Sequence, residues 1–157
     1  MPQLQNTSLA TYIPLFEAAG VEQIISASPL SMGILRNDGG PAWHPATPAL
    51  QQACKDAIAV AAKAGTTLEA VALGYGLTSA GSSTSHTPIV VGLSTPDEVH
   101  ETMRVYSQLY SDPQARAARA PGTGLGEGQT KQVALEKEIV ELIRKAGAFN
   151  WTWDSGV

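Results

Sequence analysis

A chain of 157 residues with 43% hydrophobic residues is long enough for one domain with a buried core, which excludes a wholly disordered protein. A formal net charge of -4 with only 10 basic residues excludes the clustered Lys and Arg that nucleic-acid backbones require. A single cysteine and apolar runs far shorter than about 20 residues predict a cytoplasmic protein with no internal disulfide and no membrane partner.

The first predicted elements are a short amphipathic helix and a strand. Apolar residues recur at helical spacing over residues 9–16, with Thr7 or Ser8 as the cap and Gly20 as the end. The β-branched run at 21–27 lacks polar alternation, which predicts a strand buried on both faces. A helix that leads into such a strand is typical of an α/β protein.

A loop and a long helix follow. Residues 36–48 are rich in Gly and Pro and therefore predict an irregular loop. Apolar residues then recur at three- and four-residue intervals from Pro48 to about residue 64, which predicts a helix. Cys54 falls on the apolar face of this helix, so we interpret it as a packing residue and not as a nucleophile.

The same rhythm returns in the next part of the chain. A second helix is predicted to about residue 77, capped by Thr66 or Thr67, and a Ser- and Gly-rich connector spans 78–87. Residues 88–91 predict another buried strand, and the next helix begins at Pro96.

The last part of the chain begins with a predicted linker. Residues 111–130 hold four Gly and two Pro among polar residues, with no strand before them that would make a phosphate-binding glycine loop. A final helix is predicted from Lys131 to Gly147. It leaves an exposed tail with Trp151 and Trp153, aromatic residues that would dock a partner or fold back onto the domain.

Two polar loops follow the predicted strands, where α/β proteins bind ligands. After the first strand, Ser28 and Ser31 offer hydroxyls and Pro29 with Leu30 a rigid turn, which suits a diphosphate. After the second, Gly92 permits close approach of a backbone, and Ser94 leads into a helix amino terminus. Either loop taken alone is also explained as an ordinary polar turn after a core strand.

Several segments in sequence order resemble one known family. They are LQNT at 4–7, FEAAGV at 16–21, SASPL at 26–30, PAWHPA at 41–46 and TW at 152–153. Together they are similar to the aldo/keto reductases, most closely to the branch of the L-galactose and D-arabinose dehydrogenases. The resemblance implies an α/β fold that is a partial TIM (β/α)8 barrel, its C-terminal half, since a complete barrel takes roughly 250 residues.

The resemblance also implies a dinucleotide site. It assigns nine cofactor-binding residues, which are Ser28, Pro29, Leu30, Ser31, Gly92, Ser94, Glu98, Glu101 and Thr102. The first four would cover the diphosphate, and the others would follow the adenosine end. NADP-preferring members often carry a basic residue at the position of Ser94, so NAD is the expected cofactor and NADP the less favoured one.

The resemblance implies hydride transfer on a sugar or a small aldehyde or alcohol by the complete form. The family's catalytic Tyr, Lys, Asp and His belong to segments that precede the matched region, so we assign no catalytic residue and no metal ligand. His44, His86 and His100 are interpreted as solvated surface residues. The alternative is a truncated, non-catalytic paralogue or fragment that retains part of the dinucleotide site.

The predicted organisation has three parts. Residues 1–110 form the cofactor-binding part of the barrel, residues 111–130 a linker, and residues 131–157 a helix and tail that pack on the barrel. Half a barrel leaves strand edges and apolar surface exposed, which predicts self-association or a partner chain that closes the barrel.

Overall fold

Five helices and a short parallel strand pair make up the part of the chain that the computed structural model describes, residues 3–79, 87–110 and 127–152. In chain order these elements are α1 (Leu9–Ala18), β1 (Ser26–Ala27), a 3-10 turn (Ser31–Gly33), α2 (Pro48–Lys63), α3 (Leu68–Ser79), β2 (Ile89–Val90), α4 (Pro96–Tyr110) and α5 (Glu127–Lys145).

Helices α2 and α3 follow the sequence pattern closely. Thr47 caps α2, its hydroxyl accepting a hydrogen bond from the Leu50 N–H at 3.3 Å, and Pro48 occupies the first turn. Gly65, with φ of 74°, ends the helix in the left-handed conformation. Thr67 then caps α3 by accepting a hydrogen bond from the Ala70 N–H at 3.1 Å. Both predicted helices are confirmed.

The main core lies among α2, α3 and α5, which pack against one another. Its largest buried side chains come from these helices, from the loop before α2 and from the amino-terminal segment, and they are Leu4, Ile34, Leu35, Leu50, Leu68, Val71, Ile139 and Ile143. A second cluster of Ala70, Leu73 and Val105 joins α3 to α4, and Val91 after β2 packs against it. The strand pair therefore sits beside the helical core.

The first predicted strand is much shorter than the sequence pattern suggests. Only Ser26 and Ala27 form β1, in parallel register with Ile89 and Val90. Residues 21–25 lie outside the sheet, and Ile25 is 60% exposed. The prediction of a strand over 21–27 buried on both faces is wrong, because the described residues supply one neighbouring strand that pairs with only its last two residues.

Helix α1 also differs at its start. Ser8 occupies the predicted N-cap position, but its side chain accepts no capping hydrogen bond. Instead, Asn6 Oδ1 accepts hydrogen bonds from the Ser8 N–H and hydroxyl at 3.0 and 2.6 Å, and Asn150 Oδ1 accepts one from the Thr7 N–H at 2.9 Å. The entry to α1 is thus held by the carboxyl-terminal segment.

The final helix begins earlier than predicted. Helix α5 starts at Glu127, so the predicted linker over 111–130 is wrong at its end, while its residues 111–126 lie outside the described part. Trp151 is half-buried and packs against the main core, so at this residue the tail is not exposed and the fold-back alternative holds, whereas Trp153 lies outside the described residues.

Among the described residues, no single helix has the length and apolar composition to cross a membrane. The α2–α3 pair meets those criteria only when taken together, with a bend of 94°, and both helices contribute buried residues to the core.

Candidate functional site

The loop after β1 has an unusual backbone. Ser28, Ser31 and Met32 all adopt positive φ, at 57°, 51° and 53°, a region that non-glycine residues seldom occupy. Backbone hydrogen bonds hold the conformation, from the Ser28 N–H to the Val90 carbonyl at 3.1 Å and from the Ser31 N–H to the Ser28 carbonyl at 2.9 Å. Strain of this kind persists where the surroundings enforce it and is common at ligand sites.

Two buried glutamines support this loop from the amino-terminal segment. Gln3 Nε2 donates to the Ser28 carbonyl at 2.7 Å, and Gln5 Nε2 donates to the Ser31 hydroxyl. Ser31 is 1% exposed, so its hydroxyl faces the interior. Ser31 is therefore separated from the other predicted site residues, and its hydrogen bonds hold the loop from the inside.

His44 is part of the same support, and its interpretation as a solvated residue is wrong. It is 7% exposed, its Nδ1 accepts a hydrogen bond from the Ala46 N–H at 3.1 Å, and its Nε2 lies 3.0 Å from the Ser31 carbonyl. Because Nδ1 is the acceptor, Nε2 carries the hydrogen and donates it. Of the other histidines, His100 is exposed on α4 and His86 lies outside the described residues.

The loop after β2 ends in a reciprocal cap on α4. Thr95 Oγ1 accepts a hydrogen bond from the Glu98 N–H at 3.2 Å. In return, Glu98 Oε2 accepts hydrogen bonds from the Ser94 N–H at 2.6 Å, the Ser94 hydroxyl at 2.9 Å and the Thr95 N–H at 3.2 Å. The hydrogen bonds from Ser94 lower the pKa of Glu98, so the carboxylate is the favoured form.

Arg36 joins the two loops. Its Nη1 lies 3.0 Å from Glu98 Oε1, and its Nε lies 3.5 Å from Asp38 and 3.8 Å from Glu69. Burial raises the pKa of Glu69 although Arg36 opposes that shift. Glu101 is engaged separately, by a bidentate contact with Arg104 at 2.6 and 2.8 Å that lowers its pKa.

Between the two loops lies a cleft of about 700 Å³, within the size range of small-ligand sites. Eight of the nine residues predicted for the cofactor line it, namely Ser28, Pro29, Leu30, Gly92, Ser94, Glu98, Glu101 and Thr102. Among the described residues, its lining carries five carboxylates and one guanidinium, that of Arg36. The structure thus brings the predicted residues together around a predominantly acidic surface.

Sequence reasoning missed Arg36 and Trp43 as residues of this cleft, and Gln3 and Gln5 as its supports. Arg36 and Trp43 belong to a Gly- and Pro-rich loop in which no periodicity indicates what a side chain faces. The buried glutamines carry no local signal either, since their partners lie 25 and 26 residues away.

The chain also matches known proteins. The model of the aldo/keto reductase family matches residues 5–120, which include both loops and all nine predicted residues. The chain belongs to the aldo/keto reductase family. L-galactose dehydrogenase of Arabidopsis thaliana is 32% identical over 154 residues, which cover 98% of this chain and 41% of that protein. This aldo/keto reductase chain therefore spans about two fifths of the length of the curated relative it matches.

Cysteine and metal chemistry were the remaining possibilities for this aldo/keto reductase chain. Cys54 is 0% exposed in the main core, and burial raises the pKa of its thiol to about 12, so it packs as the sequence predicts. No group of three or more His, Cys, Asp or Glu side chains is arranged to hold a metal ion in the part of the chain that the structure describes.

Proposed function

We propose that the cleft between the two strand-end loops binds the adenosine diphosphate portion of NAD. Ser28, Pro29 and Leu30 would lie along the diphosphate, with Gly92 and Ser94 near the phosphate and ribose. The supporting observation is that two loops about 60 residues apart in the sequence line the same cleft. Each of these loops follows one strand of the parallel pair. Glu98, Glu101 and Thr102 would follow the adenosine.

The charge of the cleft supports NAD over NADP. Glu98 already occupies the Ser94 and Thr95 donors at the start of α4, where an additional phosphate would otherwise bind. A carboxylate accepts hydrogen bonds from ribose hydroxyls and repels a 2′-phosphate. The surrounding Asp38, Glu69 and Asp97 add to that repulsion. The one positive charge, on Arg36, is shared among Asp38, Glu69 and Glu98 in the described part of the lining.

In its complete form, the protein would transfer a hydride between NAD and a sugar or a small aldehyde or alcohol. This proposal rests on the family and on a relative named as an L-galactose dehydrogenase. The nicotinamide supplies the hydride chemistry when bound, and the residues of this chain would hold its adenosine end. For the fold, we propose the C-terminal half of a TIM barrel. For the location, we propose the cytoplasm, which the free buried thiol of Cys54 supports.

Calorimetric titration with NAD and NADP tests the cofactor proposal. We expect NAD to bind the wild-type chain more tightly than NADP. Glu98→Gln should raise the affinity for NADP by about tenfold, because one charge is removed while Gln still suits the third position of the helix cap.

The control is Glu141→Gln on α5, an exposed carboxylate that does not line the cleft. It should leave both affinities unchanged. Tighter binding of NADP than of NAD by the wild-type chain would overturn the cofactor assignment.

The second candidate is a non-catalytic chain that retains part of the dinucleotide site. The observation that favours it is the lining of the cleft, whose described titratable residues are Arg, Asp and Glu, with no Tyr, Lys or His among them. Absorbance at 340 nm with NAD and aldoses tests the second candidate, and turnover by the 157-residue chain would overturn it.

A further inference from the structure

Trp43 is the most exposed large hydrophobic residue of the cleft wall. Its side chain is 69% exposed, and it is the one aromatic residue among the described residues that line the cleft. An indole that is exposed to water leaves a large apolar surface unburied, and burying that surface against a ligand is favourable. Such a ring at the wall of a ligand-sized cleft is suited to contact a ligand.

The backbone around Trp43 is held in place. The next residue, His44, is anchored by its two ring nitrogens and by its N–H, which donates to the Pro41 carbonyl at 3.0 Å. The Trp43 and His44 rings stack with centroids 6.1 Å apart and planes 21° apart. The loop backbone at Trp43 is therefore fixed, and less conformational freedom would be lost when a ligand covers the indole.

The remaining cleft wall indicates which part of a dinucleotide the indole would meet. The carboxylates of Asp38 and Glu69 line the cleft, and a carboxylate oxygen has more than one lone pair with which to accept a hydrogen bond from an amino group on a planar ring. The described lining has no Tyr, Lys or His that could assist proton transfer at a nicotinamide. A neutral purine that carries an exocyclic amine fits both observations.

We infer that Trp43 is a cofactor-binding residue whose indole stacks on the adenine ring of the bound dinucleotide. This inference rests on the proposed function, and it adds a contact from the loop before α2 to those from the two strand-end loops. Stacking on an indole depends on the face of the base, so every ligand that carries the adenine should benefit, whether or not it carries the nicotinamide.

Calorimetry with ADP-ribose, nicotinamide mononucleotide and NAD tests the inference on the full chain. Trp43→Ala should weaken the binding of ADP-ribose and of NAD at least tenfold, and Trp43→Phe should retain most of the affinity because it keeps an aromatic face. Binding of nicotinamide mononucleotide should not change. Tyr12→Ala is the matched control, since Tyr12 is 51% exposed on α1 and does not line the cleft.

Each outcome has a distinct meaning. If the wild-type chain binds NAD and Trp43→Ala binds ADP-ribose within twofold of wild type, the stacking role is wrong and the proposed function stands. If Trp43→Ala weakens nicotinamide mononucleotide and leaves ADP-ribose unaffected, the adenine assignment is overturned. If the wild-type chain binds none of the three ligands, the proposed function fails and this inference with it.

Discussion

At the scale of single residues, Gly40 shapes the loop that carries one wall of the cleft. It has φ of 80°, and a Cβ there would lie 2.8 Å from Ile34 Cα and 3.0 Å from the Gly33 carbonyl oxygen. Gly39 has a similar φ of 84° but open space around it. We therefore expect Gly40→Ala to lower the free energy of unfolding by about 1–3 kcal/mol more than Gly39→Ala does, measured by urea denaturation. Equal losses would mean that backbone strain alone matters at Gly40.

At the scale of elements, the stability of α2 depends on its cap. Helix α2 contributes five buried residues to the core, and Thr47 accepts a hydrogen bond from one of its first N–H groups. Thr47→Ala should cost about 1 kcal/mol and lower Tm by about 2–4 °C in thermal unfolding followed by circular dichroism. Thr47→Ser keeps the accepting oxygen and is the control. A Tm for Thr47→Ala equal to that of Thr47→Ser would show that the hydroxyl does not cap the helix.

At the scale of the whole molecule, the strand pair leaves an apolar face uncovered. Val90 in β2 is 54% exposed, and Ile25, the residue directly before β1, is 60% exposed. We expect the chain to self-associate through this face, and the double change of Ile25→Lys and Val90→Lys to shift it towards monomer in sedimentation velocity. Leu15→Lys on α1, also at a 60% exposed position, is the control. A wild-type monomer at high concentration would contradict this prediction.

The order and type of the helices could be predicted because their signals are local. The spacing of apolar residues from Pro48 onwards, a threonine before each of α2 and α3, and Gly65 between them act within a few residues of one another. The positions of the strands could be predicted, but their lengths could not, because the length of a strand depends on the neighbour with which it pairs. Residues 21–25 have the composition of a strand and no partner strand among the described residues.

The candidate site shows the same division. The Thr95 and Glu98 pair has the sequence pattern of a capping box, and its reciprocal hydrogen bonds span three residues. The pairing of Glu98 with Arg36 spans 62 residues, and no local sequence pattern predicts it. His44 was misinterpreted for a similar reason, because its acceptor on Ser31 lies 13 residues away.

The sequence by itself determined the family, the helices and the two polar loops, because these depend on residue order, periodicity and turn chemistry within short stretches. Only the tertiary structure decided that eight predicted residues surround one cleft, that Ser31 turns away from it, and that Glu98 neutralises the helix start beside Arg36. Those outcomes depend on which distant segments meet, and burial and electrostatic pairing act through space and not along the chain.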